Sequence, residues 1–309
     1  MNIIKPITQL IEDMLSERDC RPDTIDTYRR KLRIWVNWMV HKGYISNPTP
    51  KSLAEYKAHL IDSGHQPDTV NGYMAVIKIL FRWMSENGYC KDITKGIKWR
   101  SETTNSVKGF LTTDQVAKLI VSMPKVTDIE IRNYAIVNLM VRVGARCIEV
   151  VRLDRSDVTY IDNKYQMRLQ RKGRISKSSN IQISKAIYLP IESYMALKFF
   201  SPITDPVFQS EGSLPGRRLT TKTIGRIAQD AMRIIGIEGK EYTAHSFRHT
   251  AAIAAHLSGV PIGYIQQMLG HKSISTTERY LRSLQQENIE ATKALMAIEN
   301  AYQMCLNID

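Results

Sequence analysis

Residues 21–44, RPDTIDTYRRKLRIWVNWMVHKGY, and residues 66–89, QPDTVNGYMAVIKILFRWMSENGY, align without a gap at an offset of 45. Pro, Asp, Thr, Tyr, Ile, Trp, Met, Gly and Tyr coincide in the two copies. Each copy opens on Pro-Asp-Thr, a helix start, and closes on Gly43 or Gly88, a helix stop. Between these signals apolar residues recur at helical spacing: Ile25, Tyr28, Leu32, Trp35, Trp38 and Met39 in one copy, Val70, Tyr73, Ile77, Leu80, Phe81 and Met84 in the other. Shorter helical patterns, Ile4 to Glu17 and Leu53 to Ser63, precede each copy, so residues 1–92 are expected to form two helical hairpins packed as a four-helix unit. Two copies are too few for a solenoid. The Trp and Tyr residues are expected to fill the core. Arg29, Arg30, Arg33, Lys78 and Arg82 fall on other faces, as contacts for a polyanion or as solvated surface.

A chain of 309 residues suits two domains of ordinary size. Residues 93–110 belong to a stretch that loses apolar periodicity and turns polar and basic, as an interdomain linker does. The next expected domain is 111–285. It opens with Thr112 or Thr113 as a helix cap and continues with a mostly apolar helix ending near Gly144. Alternating segments at Asp157 to Tyr160, Tyr165 to Gln170 and Ile181 to Leu189 are read as three strands of a small antiparallel sheet, with Asp162-Asn163 and a basic loop between them. Further helices are expected from about Thr221, Ser246, Ile262 and Thr276. The fold class is therefore mainly α with a small antiparallel sheet in the C-terminal domain.

The net charge of +13 favours a polyanionic partner, because lysines and arginines that neutralise phosphates release counterions. The charge is unevenly placed. Residues 1–100 hold 16 Lys and Arg against 11 Asp and Glu, residues 101–285 hold 26 against 15, and residues 286–309 hold 1 against 4. The second segment is the main electrostatic contact, and two basic domains on a tether could close around a duplex.

Cys20, Cys90, Cys147 and Cys305 lie far apart with no CxxC pair, which points away from a disulfide framework and fits a reducing cytosol. The N-terminus brings in acidic residues before any long apolar run, and the run from Tyr134 to Val143 is interrupted by Asn138 and Arg142. Neither a signal peptide nor a membrane span is expected. His245 and His249 are four apart, as zinc ligands can be, but there is no HExxH glutamate and no obvious third ligand, so no metal or other cofactor is expected.

Taken singly, His245-x-x-Arg248, Arg146 or Tyr280 would mean little. Together they form an ordered series: GARCIEVVRL at 144–153, RKGR at 171–174, AHSFRHTAA at 244–252, LGH at 269–271 and Tyr280. In this series the chain resembles the tyrosine recombinases, the phage integrase and Xer-type family, over nearly its whole length. The resemblance implies a SAM-like core-binding domain followed by a catalytic domain. It implies that Arg146 and Arg248 hold the scissile phosphate, that His245 and His271 flank it, and that Tyr280 is the nucleophile. Lys172 is the best match to the family's hairpin lysine, and Glu149 to the acidic residue after the first arginine. Family hairpins show a Gly-Lys-Gly-x-Lys-x-Arg-like run, whereas RKGRISKSSN lacks the leading Gly, which leaves Lys177 as a rival general acid or a backbone contact.

The chemistry agrees with these residue types. Attack on a phosphodiester builds negative charge on its non-bridging oxygens, which permanently charged, planar guanidiniums suit. A phenol with an ordinary pKa near ~10 must give up its proton to a nearby base, for which His245 is the candidate, with His271 as a hydrogen-bond donor to the phosphate. The leaving 5′ oxygen needs a proton, which a hairpin lysine can give. The phosphotyrosyl ester conserves the bond energy, so no ATP is needed.

Residues 286–309 place Ile289, Leu295, Ile298, Tyr302 and Leu306 at near-helical spacing. The resemblance implies that this tail helix docks on a neighbouring subunit, giving a homotetramer on double-stranded DNA with specific sites, with room for accessory DNA-bending proteins and a cytoplasmic, nucleoid-associated setting. Little room before Ile4 for a further arm-binding domain points to a simple recombinase of the Xer or transposon-resolution kind, with a small integrase left open, acting in integration, excision or resolution. Two rivals stand beside it: a type IB topoisomerase-like enzyme, and a DNA-binding protein without catalysis.

Overall fold

A computed structural model of the chain describes residues 5–97, 109–172, 174, 176–212 and 215–286. The chain divides into two compact units, Met1–Asn105 and Ser106–Asp309. Residues 98–108 of the expected linker and 287–309 of the expected tail lie outside the described residues.

The first unit holds α1 (Ile7–Ser16), α2 (Pro22–His41), α3 (Pro50–Asp62) and α4 (Pro67–Glu86). The helices α2 and α4 are each 20 residues long and keep the offset of the sequence repeat at both ends. Each starts with proline in the first turn, where the amide it lacks would have had no intrahelical acceptor. Each stops the same way: the amide of Tyr44 donates to Met39 O and that of Tyr89 to Met84 O, at 2.8 and 2.9 Å. Tyr44 then packs on Trp38 and Tyr89 on Trp83, with ring centroids 6.0 and 5.6 Å apart. Leu10, Met14, Leu32, Trp35, Met39, Leu53, Leu80 and Phe81 are fully buried, and Trp35 meets Phe81 edge-on at 5.8 Å. α3 begins three residues before its first expected position because Thr49 caps it, its hydroxyl accepting from Ser52 N. The α1 pattern expected from Ile4 is described from Ile7.

The second unit contains α5 (Thr113–Ser122), α6 (Asp128–Val143), α7 (Cys147–Val151), β1 (Val158–Ile161), β2 (Lys164–Leu169), β3 (Ser179–Gln182), α8 (Lys185–Leu197), α9 (Thr221–Ile234), α10 (Ala244–Leu257), α11 (Ile262–Leu269) and α12 (Ile274–Gln286). Thr112, rather than Thr113, caps α5, in a reciprocal box with Gln115. The three strands pair antiparallel in the order β1-β2-β3, and Asp162 and Asn163 turn the first hairpin with positive φ of 51° and 59°.

The expected third strand, Ile181 to Leu189, is corrected by the structure. It ends at Gln182, and the chain enters α8 after Ser184. Ile187, Tyr188, Ile191 and Tyr194 are buried at helical spacing, and α8 packs on α6. Pro190 lies inside this helix and cannot donate to the carbonyl four residues back, that of Ala186. The buried amide of Asn138 on α6 donates to that carbonyl instead, at 2.8 Å. The polar interruption in the apolar α6 run thus repairs the backbone of its neighbour.

Candidate active site

Two left-handed glycines set the frame of the site. Gly144 ends α6 at φ 68° and Gly270 ends α11 at φ 64°, each stopping its helix just before a site residue, Arg146 and His271. Side chains do not fit there. A Cβ on Gly144 would meet Leu269 Cδ2 at 2.7 Å, and one on Gly270 would meet Arg171 Cδ at 3.0 Å.

Arg248, in the first turns of α10, is fully buried and joins the two helix ends. One Nη donates to Gly144 O at 2.7 Å and the other to Leu269 O. A cation at two helix C-termini meets the negative ends of both dipoles. Burial, with Arg146 nearby, pulls its pKa down to about 10, which leaves it charged at neutral pH.

Arg146 caps the short α7 and is half-buried. Its Nη1 donates to Glu149 Oε1 at 2.8 Å and its amide to Glu149 Oε2 at 3.0 Å. Glu149 is fully buried and also faces Arg171, whose Nη1 is 3.5 Å from Oε2. A single buried carboxylate therefore lies between two guanidiniums, which is the arrangement that makes its burial tolerable.

Tyr280 on α12 is held at both ends. Its phenol oxygen lies 2.6 Å from Nε2 of His245, close enough for the O–H to donate to an unprotonated ring nitrogen. Its carbonyl accepts from Nε2 of His249 at 2.7 Å. Three imidazoles surround the phenol ring, those of His245, His249 and His271, at 5.5, 5.2 and 5.2 Å between centroids. His271 Nδ1 is 2.9 Å from the hydroxyl of Thr277, itself fully buried one turn before Tyr280. Burial, then the charges of Arg248 and Arg146, push the His271 pKa down to about 4, so the ring is neutral at pH 7.

Two buried nitrogens in this cluster, Nε of Arg248 and Nε2 of His271, have no hydrogen-bond partner among the described residues. Such atoms are costly unless something outside the chain satisfies them.

The structure thus gathers Arg146, Glu149, His245, Arg248, His271 and Tyr280. The two lysines differ. Lys172 is exposed, with its amide 3.4 Å from Glu149 Oε1, and its ammonium has no partner among the described residues. Lys177 pairs with Asp154 and Asp157. Arg171, Thr277 and the His249 grip on Tyr280 were not read from the sequence. The only sequence signal for Arg171 was its place beside Lys172. In the first unit, Arg29, Arg30 and Arg33 line a cavity of about 410 Å³ with Ile11 and Val36, and Arg29 is paired with Glu12 and Asp26. Arg33 and Lys78 occupy the same position in the repeat. Among the described residues no group of three or more His, Cys, Asp or Glu could hold a metal, and no helix is long and apolar enough to cross a membrane.

Comparison with known proteins matches residues 109–287 to the phage integrase family and residues 7–88 to the phage integrase N-terminal SAM-like domain. The chain is 29% identical over 174 residues to tyrosine recombinase XerC of Caldanaerobacter subterraneus, a match covering 55% of this chain but only 46% of that protein. It is 27% identical over 287 residues to tyrosine recombinase XerD of Listeria monocytogenes, covering 89% of this chain and 94% of the relative. In fold it is similar to the XerH site-specific recombinase bound to palindromic difH substrate in a post-cleavage complex, with a TM-score of 0.73 at 19% identity over 92% of this chain and 83% of that one.

Proposed function

This chain belongs to the phage integrase family of tyrosine recombinases, and from that premise we propose that it cuts and rejoins double-stranded DNA at specific sites through a 3′-phosphotyrosyl intermediate and a Holliday junction. The observation that carries this reading is the pair of buried nitrogens without a partner among the described residues, Arg248 Nε and His271 Nε2, beside a phenol already hydrogen-bonded to His245. A scissile phosphate set between them satisfies both, with the His271 proton on Nε2 and the Thr277 hydroxyl donating to Nδ1.

In this reading the Tyr280 oxygen attacks phosphorus while its proton passes to His245 Nε2. Arg146, Arg248 and His271 hold the non-bridging oxygens. The bond from phosphorus to the 5′ oxygen breaks, and that oxygen takes a proton from Lys172. Lys172 is favoured over Lys177 because its ammonium is uncommitted, whereas that of Lys177 is engaged by two carboxylates. Arg30, Arg33, Lys78 and Arg82 of the first unit are assigned to the DNA backbone, with Arg29 drawn in only by leaving Glu12 and Asp26.

The domains are assigned as residues 1–92 for core binding, 93–110 as linker, 111–285 for catalysis and 286–309 as an exchanged tail. The active assembly is a tetramer on two duplexes. A palindromic substrate, such as the one bound by XerH, presents two equal half-sites and so engages protomers in pairs. The setting is the cytoplasm, on the nucleoid. The test uses nicked duplexes carrying the repeats that flank the coding locus. A covalent protein–DNA adduct that Tyr280→Phe abolishes is the expected result, and binding without any adduct would leave only a DNA-binding protein.

A further inference from the structure

Arg171 is the one buried arginine of the site to which the chemistry above gives no contact with DNA. It is 7% exposed and reaches three elements besides its own. Its Nη2 donates to Met268 O at 2.7 Å, in the last turn of α11, and its Nη1 faces Glu149 Oε2 at 3.5 Å. Its Nε donates to Ser179 Oγ at 3.3 Å, at the start of β3. Its stem fills the space above Gly270, where an added Cβ would lie 3.0 Å from Cδ and 3.1 Å from Nε.

These contacts have one geometric effect. Met268 lies two residues before Gly270 and three before His271, so the guanidinium fixes the turn that presents His271. Lys172 is the next residue along, and its amide points at the same Glu149 that Arg171 and Arg146 share. At the other end of the loop Lys177 is pinned to Asp154 and Asp157. Arg171 and Lys177 are therefore both tied to the body of the unit, and Lys172 stands next to the first of them.

We propose that Arg171 is a positioning residue that sets the Lys172 ammonium at the leaving 5′ oxygen by tying the root of the β2–β3 loop to Glu149 and to the α11 turn that carries His271. The inference rests on the reading of Lys172 as the proton donor. Arg171 itself touches no reacting atom. It fixes the backbone from which the Lys172 side chain extends.

A duplex with sulfur in place of the bridging 5′ oxygen at the scissile phosphate separates this role from a merely structural one. A thiolate leaves without needing a proton, so a defect confined to proton donation disappears on sulfur. Single-turnover cleavage would be measured on oxygen and sulfur duplexes for the parent, Lys172→Ala, Arg171→Ala, Arg171→Lys and the Lys172→Ala/Arg171→Ala double variant. On oxygen, Lys172→Ala and Arg171→Ala are each expected to be slowed about 100-fold, the scale of a lost general acid. On sulfur both return to within about 3-fold of the parent, and on oxygen the double variant is no slower than the slower single, as for groups acting as one unit. Arg171→Lys keeps a positive charge beside Glu149 and so guards against loss of fold. It is expected to be intermediate on oxygen and normal on sulfur. Slow cleavage of sulfur by both Arg171 variants, with Lys172→Ala rescued, overturns the positioning role and leaves the lysine reading intact. Slow cleavage of sulfur by Lys172→Ala overturns both, and does so in a separate arm of the experiment.

Discussion

The phenol oxygen of Tyr280 sits 2.6 Å from Nε2 of His245, although 35 residues separate them in the chain. In the proposed reaction this contact already places the group that loses a proton against the one that takes it. Tyr280→Phe is therefore expected to keep DNA affinity within about 3-fold and to abolish the covalent adduct, since it removes one oxygen from a ring whose packing is otherwise unchanged. Denaturing gels of adduct on nicked duplexes, alongside filter binding, check both halves.

The two arginines proposed to hold the phosphate should separate activity from stability. Arg248→Ala leaves the carbonyls of Gly144 and Leu269 without their donor in a buried site, and is expected to cost about 3 kcal/mol or more. Arg146→Ala, at a half-buried position, should cost less, since Glu149 keeps Arg171 as a partner. Both should slow cleavage about 100-fold or worse. Thermal melts and single-turnover rates, compared in parallel, read this out; equal loss of stability in the two variants would contradict it.

His271 gives the fold a pH dependence of definite sign. Its pKa is about 4 in the folded chain against 6.5 ordinarily, because burial and then Arg248 and Arg146 disfavour its charged form. The unfolded chain takes up a proton first as pH falls through 6.5, so stability is lost from there down to about 4 and levels off below. The loss is at most ~3 kcal/mol. His271→Asn, whose amide can keep the bond to Thr277, should show a shallower fall over that window in urea unfolding at stepped pH.

Lys177 and Lys172 should fail differently. Lys177→Ala leaves Asp157, a buried carboxylate, with Arg168 at 3.3 Å and the Asp154 amide at 2.8 Å, and should lower the melting temperature by several degrees. Lys172→Ala removes an exposed, uncommitted ammonium and should leave the melt within about 1 °C. Calorimetry of the two variants decides between them.

How much of this was legible in the sequence varied with the range of the forces involved. The α2/α4 repeat could be read because helix starts, stops and apolar spacing are local, and the two helices kept their offset to the residue. The Asp162-Asn163 turn was legible for the same reason. The third strand was overextended because SKAIYLP mixes short-range strand and helix signals and Pro190 argues against a helix. Asn138, 48 residues earlier along the chain, supplies the donor that this proline lacks. At the site, the ordered series identified the residues that gather around Tyr280, since each carries chemistry in its own side chain. Arg171 and Thr277 escaped notice because their importance lies in what they touch, Met268 O and His271 Nδ1, and those contacts exist only after folding.

His245 and His249, one helical turn apart on α10, grip the same tyrosine by its hydroxyl and by its carbonyl. In the proposed reaction the phenol oxygen changes partner while the carbonyl of the same residue keeps its bond to His249, and the displaced proton waits on the nitrogen that faces the oxygen it left. Resealing thus starts from the arrangement in which breaking stopped, and the pocket itself has no forward or reverse gear. Any one-way outcome has to come from the geometry of the DNA strands and the protomers around them.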